Sequence, residues 1–243
     1  MCGRFGQTKK IIGEHAGIKI IAGELFKDNY NVSTGNAATI ILNAETTCSA
    51  IFGFTPQWET QAKYYINARS EGKLNPENNE SYRGPFGIFE MPSFRESITK
   101  NRCLIPVDYF IEGPEKEKLS KPYLIERKDK QIFLLGAIYS DFVEPSTGEI
   151  TRTFCVLTTP ASYLLKGIGH HRSPLIISSQ ISQKWLDEKL SREEISSFFS
   201  PFDSADFHSY RISNTIKSPN KNFLNNSPSL RNPVQEDLRL NFD

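Results

Sequence analysis

The chain is 243 residues long, and its 29 Lys and Arg against 28 Asp and Glu leave a net charge of +1. That balance argues against a polybasic protein that coats duplex DNA or a membrane surface, though not against a local anion site. Hydrophobic residues make up 38% and charged residues 23%, which excludes a disordered composition and allows a substantial core without disulfides or metal. The longest apolar run, Ile132 to Tyr139, is interrupted by Gly136 and is too short to span a bilayer.

In chain order, Lys9 to Ile20 carries a helical pattern. Strand-like stretches follow at Ala37–Leu42, Cys48–Phe54 and Tyr64–Ala68, rich in β-branched and aromatic residues and bounded by turn formers. Gly72 to Glu90 is polar, with Asn75, Asn78, Asn79, Pro76 and Pro85, and reads as a long loop; loops of that length usually serve a function or move. Pro92-Ser93 opens a helix that runs to Lys100. Further strands are expected at Cys103–Ile111, Tyr123–Arg127, Ile132–Tyr139, Thr151–Thr158 and Leu175–Ile177. Ser182–Leu190 and Arg192–Phe199 form a predicted helix pair with serine caps. From Lys217 the chain is Asn- and Pro-rich and reads as an extended tail. There is no internal repeat. Many short strands with scattered helices and no β-α alternation predict an α+β fold around an antiparallel, barrel-like core. A single domain over residues 1–234 and a C-terminal tail over 235–243 are expected.

Cys2, Cys48, Cys103 and Cys155 form no C-x-x-C pair, and the four histidines complete no zinc spacing, so no metal or other cofactor is expected. The last three cysteines sit in apolar strand contexts and read as small buried hydrophobes. No apolar segment follows Lys9-Lys10 as a signal peptide requires, and Cys2 replaces the glycine that myristoylation needs. The expected compartment is the reducing cytoplasm, with a monomeric protein and no membrane partner.

Four clusters carry chemistry. The chain opens Met1-Cys2-Gly3-Arg4-Phe5, and the small second residue permits removal of Met1. Cys2 would then hold an α-amine (reference pKa about 7.7–8.0) and a thiol (about 8.5) on one skeleton. Such a 1,2-aminothiol condenses with an aldehyde and closes a five-membered thiazolidine; either group is also a nucleophile. An incidental cysteine at a frayed end is the plain alternative. In Ile66-Asn67-Ala68-Arg69-Ser70-Glu71, residues Asn67, Arg69 and Glu71 share one strand face, as they would on an exposed sheet edge. In Arg102 to Glu112, residues Asp108, Phe110 and Glu112 share one face, and Val107, Tyr109 and Ile111 the other. A carboxylate closing so apolar a strand is a proton-transfer group with a raised pKa or a solvated strand end. In Ile168-Gly169-His170-His171-Arg172-Ser173-Pro174, the proline extends the chain and places His170 and Arg172 on one face, suited to holding a phosphate and moving a proton. A surface loop explains it as well.

In this order, Met-Cys-Gly-Arg-Phe, Asn-Ala-Arg, Arg-Cys-Leu-Ile-Pro-x-Asp ending in Glu, and His-x-Arg-x-Pro resemble the SRAP family, the SOS-response-associated peptidase-like proteins that capture abasic sites in single-stranded DNA. Tyr30-Asn31-Val32, Gly53-Phe54-Thr55-Pro56, Pro92-Ser93-Phe94-Arg95, Thr158-Thr159 and the His208 to Val234 region extend the resemblance over nearly the whole chain. It implies a β-rich barrel-like fold with peripheral helices. It implies Cys2 as the nucleophile that forms a thiazolidine with the ring-opened sugar, Asn67 as the residue positioning its amine, Glu112 as general acid/base, and His170 as assistant in sugar opening and proton transfer. Arg69 and Arg172 match phosphate-holding arginines, with Arg4 and Thr159 in the same work. Autopeptidase release of Met1 and an abasic-site lyase step are further implications. The family's usual Asp-Gly-Trp/Phe-Phe/Tyr-Glu-Trp is here Asp108-Tyr109-Phe110-Ile111-Glu112-Gly113, its Trp-Gly is Phe52-Gly53, and the Gly72–Glu90 loop is longer. A one-residue shift would select His171 in place of His170. The rival reading is an N-terminal-nucleophile amidohydrolase, with Cys2 attacking an amide and Asn67 as oxyanion donor; a non-enzymatic interaction module is the third.

Overall fold

The computed structural model describes residues 2–15, 17–21, 26–217 and 225–234. Its two longest strands, β11 (Phe133–Val143) and β12 (Ile150–Pro160), form an antiparallel hairpin whose turn places Gly148 at a φ of +71°. Three more strands close this pair into a ring: β5 (Ala37–Ile41), β6 (Thr47–Phe52) and β8 (Arg102–Val107). The order is β12–β6–β5–β8–β11 and back to β12, with β6 parallel to β12 and the remaining pairs antiparallel. Closure leaves these strands no free edge, which suits chains so rich in Val, Ile and Phe. β7 (Asn67–Arg69) pairs parallel to β12, and β13 (Arg172–Pro174) and β14 (Ile176–Ile177) add to β12 and β11.

Alternation along the ring strands divides two cores. One contains Ile40, Phe52, Ile105, Leu135, Phe154 and Val156. The other contains Ile41, Leu104, Leu134, Ile138 and Leu157, and is covered by Ile98 of α1 (Arg95–Lys100), Trp185 of α3 (Ser182–Trp185) and Ile195 of α4 (Arg192–Ser196). Buried Arg102 fastens this helical layer by donating to the carbonyls of Ile98, Thr99 and Trp185 at 2.7–3.0 Å. Among the described residues no helix is long and apolar enough to cross a membrane.

A second, five-stranded sheet joins the first strand to the last. Its order is β15 (Phe207–Arg211), β10 (Tyr123–Arg127), β9 (Tyr109–Glu112), β1 (Phe5–Gln7) and β4 (Asn29–Val32). The α+β, barrel-cored architecture expected from the strand pattern is the one observed.

Several local expectations differ. The Lys9–Ile20 pattern is not a helix: a 3-10 turn over Lys9–Ile11 leads into a hairpin of β2 (Gly13–His15) and β3 (Ile18–Ile20), with Gly13 and Gly17 at positive φ, while Ala16 lies outside the described residues. The expected single strand Cys103–Ile111 breaks at Asp108, whose carboxylate accepts from the Thr8 amide at 2.7 Å and ties the bend to the chain start. The break shifts the phase, so Val107 joins the same core as Phe110, not the face of Tyr109 and Ile111. The Tyr64–Ala68 strand begins only at Asn67, because Tyr64 has a φ of +55°. The helix pair is shorter than expected. Ser191 caps α4 in a reciprocal box with Glu194, whereas Ile181 stands at the start of α3 without a side-chain bond. The tail expected from Lys217 is not extended over 225–234. There a 3-10 turn (Pro228–Arg231) buries Leu230 against Tyr109 and Ile111, and Arg231 pairs with buried Glu126 at 2.9 Å. The tail expected over 235–243 lies outside the described residues.

Candidate active site

Backbone pairing assembles the site. β1 lies against β9 with Phe5 opposite Phe110, and the Ile111 amide donates to the Arg4 carbonyl at 2.9 Å, so the chain start runs beside the strand that ends in Glu112. Gly6 has no side chain because the Tyr109 ring lies where one would go, 2.3 Å from an ideal Cβ. On the other side β7 brings Asn67 to the chain start. Its Nδ2 donates to the Cys2 carbonyl at 2.7 Å and to the Ile66 carbonyl at 2.5 Å, while Oδ1 is buried with no partner among the described residues.

The histidine arrives from α2 (Tyr163–Gly167), which Ser162 caps. Gly169, at a φ of +79°, reverses the chain after the helix, and the His170 amide returns to the Leu165 carbonyl at 2.8 Å. The His170 ring then sits between two partners: Nδ1 is 2.8 Å from the Gly113 carbonyl, and Nε2 is 3.5 Å from Glu112 Oε2. A carbonyl only accepts, so Nδ1 carries the proton and the Nε2 lone pair faces Glu112. Burial drives His170 down to about 3, keeping it neutral, and drives Glu112 up to about 7, leaving its carboxyl partly protonated near neutrality. Burial, then the charge of Glu112, raises the Cys2 thiol above its ordinary value. Neither the frayed end, the solvated strand end nor the surface loop fits, since Cys2, Glu112 and His170 are all buried. The four segments line or adjoin one cleft of about 560 Å³, walled by Ile66, Ile111 and Leu119 and rimmed by Arg4, Lys118 and His171. Among the described residues no cluster of three or more His, Cys, Asp or Glu stands ready to hold a metal.

The family model described as SOS response associated peptidase (SRAP) matches residues 1–219. The chain belongs to the SRAP family. It is 28% identical over 241 residues to the abasic site processing protein YoqW of Bacillus subtilis, covering 95% of this chain and 98% of that one. It is 23% identical over 208 residues to the abasic site processing protein YedK of Escherichia coli, covering 81% and 84%. A crystal structure of a protein from Bacteroides thetaiotaomicron superposes with a TM-score of 0.74 at 27% identity, covering 95% of this chain and 99% of that one.

The remaining SRAP-matched positions have separate surroundings. His171 turns to Glu115, 3.3 Å away, so His170 alone of the two faces Glu112. Arg172 is 2% exposed and holds fully buried Glu71 through two bonds of 2.8 Å, with a third to the Thr158 carbonyl. Burial works against the Glu71 charge, but Arg172 outweighs it and holds the carboxyl below its ordinary range. Thr159 is buried with its hydroxyl on the Pro160 carbonyl at 3.2 Å, away from solvent. Arg4, which lines the cleft, donates to Asn31 at 2.7 Å, and Arg69 donates to the Asn75 carbonyl at 2.5 Å; both residues are half-buried. Two positions escaped the sequence reading. Gly113 stood out only as a departure from the SRAP pattern, yet its carbonyl orients His170. Asn78, in the polar loop, gave no signal at all.

Proposed function

We propose that this protein captures abasic sites in single-stranded DNA by forming a thiazolidine at Cys2 after removal of Met1. The observation that carries the reading is the convergence of four distant segments, with Glu112 and neutral His170 lining one cleft and Cys2, held by Asn67, adjoining it. The abasic site processing names of the relatives support it.

The freed Cys2 amine adds to the C1′ aldehyde of the ring-opened sugar, and the resulting carbinolamine loses water to an imine. Protonated Glu112 supplies the proton that leaves with that hydroxyl, and neutral His170, its Nε2 lone pair 3.5 Å from the carboxyl, orients it. The Cys2 thiol, kept protonated by burial, gives its proton to the Glu112 carboxylate as sulfur closes on the imine carbon. The net change is loss of one water. Asn67 Oδ1, buried without a donor among the described residues, accepts from the Cys2 amine and aims it. Arg4, Arg69 and Arg172 hold flanking phosphates, Arg172 through a guanidinium that Glu71 fixes in place. In the same reading, hydrolysis of the Met1–Cys2 bond is the peptidase step, and loss of a sugar proton from the imine opens a lyase branch. The thiol needs a reducing compartment, so we assign the protein to the cytoplasm as a monomer.

A single-stranded oligonucleotide bearing one abasic site, incubated with wild type and Cys2→Ala, tests the proposal. A heat-stable adduct with wild type alone, at the mass of the Cys2-initiated protein plus DNA minus one water, is the expected result. Processed wild type that forms no adduct, or an equal adduct with Cys2→Ala, overturns it.

A further inference from the structure

Arg69 stands two residues along β7 from Asn67, which at strand rise is about 6.6 Å. There it meets Arg172, and both guanidinium groups point at a single oxygen. Asn78 Oδ1 accepts from Arg69 Nη2 at 3.0 Å and from Arg172 Nη1 at 3.2 Å. A carboxamide oxygen carries only partial negative charge, so two cations converging on it form a site that a phosphate oxygen fills better. Three observations say that the pair is undercompensated. Glu71 neutralises Arg172, but no carboxylate pairs with Arg69 among the described residues. The Nε atoms of both arginines are buried with no acceptor among the described residues, and Arg172 as a whole is 2% exposed. Burial, followed by the like charge of Arg172, weakens the hold of Arg69 on its proton.

The segment that supplies Asn78 is anchored at its neck and base, which leaves the Asn78 turn as the part free to exchange. Gly72 and Gly87 meet at its neck, where a Cβ on Gly72 would stand 2.9 Å from the Gly87 carbonyl carbon, and the Ile88 amide reaches the Ser70 carbonyl at 3.2 Å. Loops with such closed necks hold their own shape. Buried Asn75 anchors the base: its Nδ2 donates to Glu71 at 3.3 Å, and its Oδ1 accepts from the Asn79 amide at 2.8 Å. Asn78 itself takes a φ of +57°, so its carboxamide is presented from a left-handed turn that Asn or Gly adopts readily.

We infer that Asn78 is a built-in occupant of a phosphate site: its carboxamide oxygen holds the place of a DNA phosphate oxygen between Arg69 and Arg172, and the incoming phosphodiester displaces it. The inference rests on the single-stranded DNA reading above. The exchange makes docking of the strand and opening of the Asn78 turn one event. The anchor at Asn75 stays closed throughout.

Asn78→Gly removes the occupant and keeps the backbone; Asn78→Asp replaces it with a full negative charge. Non-covalent binding of an unmodified oligothymidylate of about ten nucleotides, followed by fluorescence anisotropy over a salt series, is independent of Cys2 chemistry. Asn78→Gly should bind about three- to tenfold tighter than wild type, because its two charge-assisted bonds to the arginines no longer have to be exchanged. Asn78→Asp should bind at least about tenfold more weakly, with a log–log salt slope shallower by about 0.7, the contribution of one phosphate. Weaker or unchanged binding by Asn78→Gly overturns the inference, as does absence of oligothymidylate binding by all three proteins. If opposed shifts appear while wild type forms no adduct with the abasic oligonucleotide, the phosphate site stands and the capture reading falls.

Discussion

At the scale of single residues, burial alters the charge of two groups in the candidate site. Glu112 is raised to about 7 and His170 lowered to about 3, both by desolvation first. Their linkage to stability runs in opposite directions. Glu112 contributes stability that is complete below its unfolded value of about 4.3 and is lost as pH rises through about 7. His170 contributes stability that is present above about 6.5 and is lost as pH falls through about 3. Glu112→Gln should therefore abolish the loss of melting temperature that wild type suffers between pH 5 and pH 8, roughly the interval its raised pKa spans. The same substitution should slow thiazolidine formation by about 10²-fold and flatten its pH profile near neutrality. Thermal melts and adduct-formation rates across that range check both. Arg172 was legible as an arginine beside a histidine, but its commitment to Glu71 was not, because the two are far apart in sequence and share no pattern.

At the scale of elements, short stretches do the positioning and their lengths were the least legible feature. A bend at Asp108 turns one expected strand into two, moving β8 into the ring and β9 into the second sheet. Strand propensity is continuous across that bend; only the bond from Asp108 to the Thr8 amide marks it. The connection after β9 is equally constrained. An ideal Cβ on Gly113 would lie 1.8 Å from the Lys118 carbonyl oxygen, and Lys118 sits at a φ of +51°. Gly113→Ala must push that backbone aside and carry the Gly113 carbonyl off His170 Nδ1. The expected cost is about 1–3 kcal/mol in chemical denaturation. The ring-nitrogen NMR signals of His170 should change with it, reporting loss of the single Nδ1-protonated tautomer, whereas a purely structural glycine would leave them as in wild type.

At the scale of the whole molecule, the second sheet is held shut by residues 225–234. Leu230 enters a small core with Tyr109, Ile111, Leu124, Ile212 and Ile216, and the Arg231 guanidinium lies 5.2 Å over the Tyr109 ring. Glu126, 1% exposed, is met by Arg231, Lys130 and His208, and Asn31 is held by the Asn225 and Ile216 carbonyls. β9, which ends in Glu112, forms the floor of this core, so the C-terminal segment braces the site from behind. Leu230→Ala should destabilise the protein by about 2–5 kcal/mol. Ending the chain after Lys217 should cost at least as much, since it also leaves buried Glu126 without Arg231. Urea titrations of the two variants measure this, and wild-type midpoints in both would refute the brace.

The sequence by itself determined the fold class and most of the long strands, and the order of its short motifs carried the SRAP resemblance that named Cys2, Asn67, Glu112 and His170 as candidates. These are properties of local composition, alternation and order, and they survive without knowledge of neighbours. Tertiary structure alone decided which polar groups meet. It paired His170 and His171 with different carboxylates, and it assigned Arg172 to Glu71. It put Asn78 between two arginines, and it turned the expected tail into a brace. The physical reason is that a buried polar group is tolerable only when satisfied by a partner. Alternation shows which face of a strand is apolar; it carries no information about which distant side chain will stand opposite its polar residues.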